Sequence, residues 1–274
     1  MKLLVLGGRG MAGHVVTSFL KKNSPHDVLY TSRDIDDTDG YYLDAADLER
    51  VKEMIFSIKP DAVINCIGIL NHFADQDPGR AILINSYLPH YVASLLDTYG
   101  GKFIHISTDC VFSGKKGDYS LSDEPDGTSL YARTKILGEV KTAPHLTIRT
   151  SIIGPELKNG IGLLHWFLKQ TGTIKGFTNV YWNGVTTLQL AKTILEAAER
   201  DLSGIIQLSA SGKLSKYELL ALFQKTFNKQ DVMIEKYSDE RHDKSLINGG
   251  AQAAFLVPSY EVMLQELKEW MDSQ

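Results

Sequence analysis

The chain opens on "MKLLVLGGRGMAG", and no other stretch restricts its fold as strongly. Residues 2–7 are a short apolar run that stops at a glycine. Gly7, Gly10 and Gly13 then stand three apart. "AGHVVTSFLKKN" (12–23) follows with helical spacing, placing Val15, Val16, Phe19 and Leu20 on one side. A strand that passes through a glycine turn into a helix brings backbone N–H groups and a helix dipole against a pyrophosphate. Glycines at this spacing can also serve a tight turn alone, but the strand–turn–helix context points to phosphate.

The same alternation continues down the first half. "DVLYTSR" (27–33), "DAVINCIG" (61–68) and "KFIHIST" (102–108) read as strands, and "YYLDAADL" (41–48) closes a short strand at Asp44. Between them, "DLERVKEMIFSIKP" (47–60) is amphipathic. "RAILINSYLPHYVASLLDTYG" (80–100) reads as a helix bent or interrupted near Pro89. Near-continuous apolar strands separated by such helices predict a Rossmann-type, doubly wound α/β fold. Its parallel sheet is buried on both faces and its crossovers are right-handed. Past residue 150 the alternation loosens. Helices are expected over 162–172, 186–201, 215–227 (with Ser215 as N-cap) and 259–274, and a strand over 204–210. We expect residues 1–153 to form the dinucleotide-binding unit and 154–274 mainly a smaller C-terminal α/β substrate lobe, with later segments returning to the first unit.

Charge and cysteine content exclude several classes. A net charge of -4 leaves no basic footprint for nucleic acid and no polybasic run for a membrane surface. The opening apolar run is too short for a signal peptide or a membrane span. Cys66 and Cys110 form no CxxC pair, and no HExxH or clustered His/Cys set predicts a metal. A reduced, cytoplasmic protein is the expectation.

Candidate site residues fall at strand ends. Arg33, about twenty residues past Gly13, stands where a ribose-binding acid ends the second strand of NAD enzymes. A guanidinium there suits the 2′-phosphate of NADP, and Arg9 could reach the same group. Arg33 is alternatively a solvated surface arginine, and Asp34 beside it could serve the ribose of NAD. Asp44 could accept from an adenine amino group or cap the next helix. Cys66, Ile67 and Gly68 are slim enough to leave room for a cofactor. Thr108 places a hydroxyl at the carboxyl edge of the sheet. In "YARTK" (131–135), Tyr131 and Lys135 share one helix face. An ammonium near a phenol would lower the phenol's pKa from about 10 by roughly 1–3 units, nearer to neutral proton transfer. In "GFTNVYWNGVTT" (176–187), Trp182 could pack on a sugar and Asn183 bond a hydroxyl; Trp182 could equally be core.

"LGGRGMAG", "STDCVFSG" (107–114), "YARTKILGE" (131–139), "RTSIIG" (149–154) and "GIIQLSASGKLSKYELL" (204–220) occur in this order over nearly the whole chain. With them the sequence resembles the extended short-chain dehydrogenase/reductases, and most of all the dTDP-4-dehydrorhamnose reductase family of nucleotide-sugar reductases. The resemblance implies an NADPH-dependent reductase of a nucleotide-linked 4-keto-6-deoxyhexose, with NADH also possible. It implies that Thr108 bonds the substrate carbonyl, with Asp109 beside it. Tyr131 would donate the proton, and Lys135 would hold the nicotinamide ribose. Gly7, Gly10 and Gly13 would line the pyrophosphate, with Arg9, Met11, Arg33, Asp44, Cys66 and Gly68 as further cofactor contacts. A homodimer is compatible with it. Three departures stand out: Ile152 replaces a tryptophan common by the nucleotide-sugar site, Gly127 replaces a proline, and Cys110 replaces the glutamate of sugar 4,6-dehydratases. The missing glutamate favours a reductase over a dehydratase. Two alternatives stay open: an epimerase with tightly bound NAD, and a non-catalytic regulatory subunit like that of methionine adenosyltransferase.

Overall fold

The structure is a computed structural model that describes residues 1–158, 160–249 and 255–274. Its first half runs β1 (Lys2–Leu6), α1 (Met11–Asn23), β2 (Asp27–Ser32), β3 (Tyr41–Tyr42), α2 (Leu48–Ile58) and β4 (Ala62–Asn65). After these come α3 (Asn71–Gln76), α4 (Pro78–Ile82), a π-helical turn at Leu83–Tyr87, α5 (Leu88–Asp97), β5 (Lys102–Thr108) and α6 (Leu130–Leu137). The second half holds β6 (Leu146–Thr150), β7 (Ile152–Ile153), α7 (Leu163–Lys169), β8 (Gly172–Trp182), β9 (Val185–Thr186) and α8 (Thr187–Glu199). It closes with β10 (Gly204–Gln207), β11 (Leu214–Ser215), α9 (Lys216–Thr226), β12 (Val232–Asp243) and α10 (Tyr260–Asp272).

Seven strands form one parallel sheet in the order β10-β6-β5-β4-β1-β2-β3. Successive side chains of β1 alternate between its faces. Leu3 and Val5 join the core under α1 and α8, while Leu4 and Leu6 join the core under α2 and α5. Both faces are therefore apolar, which explains the unbroken strand patterns in the sequence. The strand order reverses between β1 and β4. A crevice opens there at the carboxyl ends, where open α/β sheets bind ligands.

The long helix expected over 80–100 is broken by the π turn just ahead of Pro89, which occupies the first turn of α5. Proline lacks the N–H that would continue the ladder, so the turn before it widens. The stretch 172–182 is a strand, as is 232–243, and they pair in a separate three-stranded sheet ordered β11-β8-β12. Neither carried a clear strand signal, because β12 is mostly exposed and polar. Ser215 caps α9 through a complete capping box with Glu218.

Candidate active site

The glycine turn shapes one wall of the crevice. Gly7 has φ +78°, and a Cβ there would come 2.7 Å from Ile67 Cγ1. A Cβ on Gly13 would lie 2.0 Å from the Gly7 carbonyl oxygen, so α1 can begin this close to β1 only with glycine. Gly10 caps α1 without a side-chain bond, and the first turn holds no acid. The helix therefore presents free N–H groups and the positive end of its dipole to the crevice. Gly7, Arg9, Gly10, Met11, Arg33, Asp44, Cys66 and Gly68 all line this cavity of about 730 Å³. Gly13 does not; its part is the close packing of helix on strand. The glycine cradle and the open helix end fit a dinucleotide.

Positive charge gathers at the end of the crevice beyond β2. Arg9 lies 3.8 Å from Asp37, and Arg33 is exposed on the rim. Two further cations there were not foreseen. Arg80 binds both oxygens of Asp44, at 2.7 and 2.8 Å, and holds that carboxyl below its ordinary range. Lys158 reaches over from the second half and donates to Asp34 at 2.7 Å. Asp34 is thus engaged by a lysine, and Asp44 by an arginine. No local motif marks Arg80 or Lys158; only the fold brings them to the crevice.

β5 ends on Thr108, which is 8% exposed. Its hydroxyl accepts from Cys110 N at 3.1 Å and donates to Asp109 Oδ1 at 3.1 Å, so a short 3₁₀ turn (Asp109–Val111) fixes its direction. Ser129 caps α6, which then presents Tyr131 and Lys135 inward, 8% and 3% exposed. The Thr108 hydroxyl is near enough to the Tyr131 phenol to favour its ionised form. Gly127 matters here in its own right. A Cβ at that position would lie 2.6 Å from the Cys110 carbonyl oxygen and 2.7 Å from Ala132 Cβ, pushing the turn away from α6.

The electrostatics correct one expectation. Burial pushes the Tyr131 phenol well above its ordinary range, with Cys110 and Asp109 adding to the rise and only Thr108 opposing it. Lys135 does not lower it, because its ammonium is engaged elsewhere: it donates to Ile106 O at 2.8 Å and meets His105 Nε2 at 3.0 Å. Burial lowers Lys135 to about 8, against the opposing pull of Glu139 and Cys66. Glu139, from the same "KILGE" stretch, pairs with Arg149 of β6 at 2.7 Å through both carboxylate oxygens, and Ser107 donates to it at 2.9 Å. One buried ion pair thus ties β5, the end of α6 and β6 together behind the site.

A second cavity, of about 620 Å³, opens between α7, β8, α9 and β12. Leu163, Trp166, Phe177 and Leu220 give it apolar walls, and Lys175, Lys216, Glu240 and His242 give it polar ones of both signs. Lys216 is near enough to Asp109 and Cys110 to feel their charge, so this cavity approaches the end of β5. Trp182 and Asn183 do not line it. Trp182 is 4% exposed, packs on Tyr260 and donates to Ser151 Oγ at 3.0 Å. The Asn183 amide is spent on Leu246, donating to its carbonyl at 2.7 Å and accepting from its N–H at 2.9 Å. Both are core residues, a correction to their expected contact with a sugar. The aromatic residues facing the cavity are Trp166 and Phe177, and Trp166 is hidden from sequence reasoning by its position in an ordinary amphipathic helix. Ile152 is half-buried in β7, which pairs with β9. Among the described residues no group of His, Cys, Asp and Glu could hold a metal ion, and no helix is long and apolar enough to cross a membrane.

The chain is similar to known proteins over most of its length. The RmlD substrate-binding domain family matches residues 1–245. A probable low-salt glycan biosynthesis reductase from Haloferax volcanii is 27% identical over 78% of this chain and 76% of its own. The methionine adenosyltransferase 2 subunit beta of Xenopus tropicalis is 24% identical over 87% and 76%. The crystal structure of a dTDP-4-dehydrorhamnose reductase from Bacillus anthracis in complex with NADP superposes with a TM-score of 0.83 at 19% identity, covering 100% of this chain and 99% of that one. With its Rossmann-type sheet and the family match over residues 1–245, the chain belongs to the RmlD substrate-binding domain family and is an oxidoreductase of the short-chain dehydrogenase/reductase type.

Proposed function

We propose that the chain is an NADPH-dependent reductase of the C4 keto group of a nucleotide-linked 4-keto-6-deoxyhexose. The observation that supports this reading is a glycine-cradled crevice at the carboxyl ends of the sheet together with Thr108 at the end of β5 and Tyr131 and Lys135 on α6, all three buried. When bound, the nicotinamide supplies the hydride. Thr108 orients the substrate carbonyl by hydrogen bonding. Tyr131, kept fully protonated by its burial, gives its proton to the carbonyl oxygen as that oxygen becomes a hydroxyl. Lys135 holds the nicotinamide ribose, and Thr108, the one neighbour that opposes the rise of the phenol, steadies the phenolate left behind. Residues 1–153 supply the dinucleotide site and 154–274 mainly the sugar lobe, whose Lys175 and Lys216 suit a diphosphate and whose Trp166 suits a base or sugar face.

Arg9 and Arg33 at the crevice rim, with Lys158 and Arg80 beside them, support NADPH over NADH. The subunit-beta relative raises the reading of a regulatory partner. Tyr131 and Lys135, both buried and both shifted, are an arrangement that a pure binding module has no use for. The test is NADPH consumption, followed by absorbance, with a panel of 4-keto nucleotide sugars. Turnover of one member supports the reading. Tightly copurified NAD and interconversion of sugar epimers without net NADPH loss would replace it with the epimerase.

A further inference from the structure

The floor behind Lys135 holds a chain of polar groups that the proposed chemistry does not use. His105 in β5 is 1% exposed and Asn65 at the end of β4 is fully buried. Lys135 Nζ lies 3.0 Å from His105 Nε2, and His105 Nδ1 lies 3.1 Å from Asn65 Nδ2. Asn65 Oδ1 accepts from Ile67 N at 3.1 Å, and Ile67 lines the cofactor crevice. Phe103 stacks on the His105 ring, with centroids 5.8 Å apart, and fixes its plane.

Proton counting gives this chain a direction. Asn65 has one side-chain oxygen, and the Ile67 N–H occupies it. Its amide nitrogen therefore donates to His105, and Nδ1 must accept. A neutral imidazole then carries its proton on Nε2, facing Lys135. An ammonium there meets a donor with a donor, whereas a neutral amine accepts the Nε2–H and keeps its bond to Ile106 O. The arrangement thus works against the charged form of Lys135, in the same direction as burial. If the Asn65 amide turns over, Nε2 becomes the acceptor that an ammonium needs, but the Ile67 N–H in the crevice wall loses its partner.

We propose that Asn65 and His105 are positioning residues that hold Lys135 Nζ and couple its charge to the backbone of the cofactor crevice at Ile67. The inference rests on the assignment of Lys135 to the reaction. The other groups facing this lysine are Tyr131 and Glu139 from its own segment, Cys66 beyond β4, and Arg149 acting through Glu139; His90 of α5 faces His105. None of these bonds the His105 ring, so its tautomer is set by Asn65.

Two measurements test the relay. The first needs no substrate: ¹⁵N NMR of the histidine rings in the free protein, with the His105 signals identified by their loss in His105→Phe, or in His105→Gln if the first variant is insoluble. A proton on Nε2 and none on Nδ1 is expected. A proton on Nδ1 overturns the proposal. The second uses Asn65→Asp, whose two oxygens can accept from Ile67 N and from a His105 Nδ1–H together. This frees Nε2 to accept and favours the ammonium. The alkaline limb of kcat/KM should move up by roughly 0.5–1 unit. The shift should shrink by at least half in the Asn65→Asp/His105→Phe double variant, which keeps the new charge but not the ring nitrogens. An unmoved limb, or an equal shift in the double variant, overturns the coupling. A wild-type protein inactive on every keto-sugar leaves the NMR result standing and counts against the reductase reading alone.

Discussion

Replacing Arg149 by methionine should cost much of the protein's stability. The guanidinium makes two 2.7 Å bonds to Glu139, with the two side chains 3% and 0% exposed, and lies 5.3 Å from the Phe112 ring centre. Methionine fills similar volume but leaves the buried Glu139 carboxylate with Ser107 as its hydrogen-bond partner and only the more distant Lys135 as a counter-charge. Removing one member of a buried pair costs about 3–5 kcal/mol, out of a total of roughly 5–15 kcal/mol for a folded domain. At this chain length that corresponds to a fall in Tm of roughly 6–20 °C. The double variant Arg149→Met/Glu139→Leu removes both charges, so it should recover most of the loss. Urea melts of wild type, single and double variants supply the numbers. A single variant within 1 kcal/mol of wild type, or a double variant no better than the single, would refute the view that this pair joins the three segments behind the site.

Three further outcomes follow from the site. Tyr131→Phe removes only the hydroxyl proposed as proton donor and should lower kcat by ~10²–10⁴-fold with cofactor affinity unchanged; activity within about threefold of wild type would show that the proton comes from elsewhere. Arg33→Ala should weaken NADPH by roughly tenfold to a hundredfold, the equivalent of ~1.5–3 kcal/mol, and leave NADH nearly unchanged in a binding titration; equal losses for both would assign the arginine to something other than the 2′-phosphate. In the free enzyme, kcat/KM should be full below and fall as pH rises through about 8, because burial lowers the Lys135 ammonium while the phenol stays protonated above it. Glu139→Gln removes the charge that favours that ammonium, so the limb should move to lower pH, and an unmoved limb would detach Lys135 from the profile.

The fold and half of the site were legible in the sequence for physical reasons. Strands buried on both faces must be apolar throughout, so β1, β4 and β5 announce themselves. A helix that starts against a phosphate must start with glycine. The residues on those strand ends, from Gly7 to Thr108, could therefore be placed by counting. What escaped lies where packing, not period, decides. β8 and β12 pair side by side in one sheet, with half-exposed side chains on β8 and mostly exposed ones on β12, and carry neither alternation nor an apolar run. Trp182 and Asn183 drew attention as an aromatic and an amide in an odd stretch. Their partners, Ser151, Tyr260 and Leu246, are 31, 78 and 63 residues away in sequence, beyond the reach of local patterning. Arg80, Lys158 and Trp166 were missed in the same way, since nothing in their neighbourhoods distinguishes them from surface residues.

The charge states of Tyr131 and Lys135 could not be read from spacing either. Four residues on a helix bring a phenol and an amine to one face, and in water the cation would favour phenolate. Inside this protein the same burial acts on both groups in the direction of neutrality, raising Tyr131 and lowering Lys135. The consequence suits a reduction. An acid that must deliver a proton starts loaded, and Lys135, on the same helix face, titrates at about 8. Running the reaction backwards would instead require a phenolate from the start, in a pocket that disfavours it. On the proposed reading the site favours protonating a newly formed alkoxide, and reverse activity on an alcohol should need a pH above that of the forward reaction.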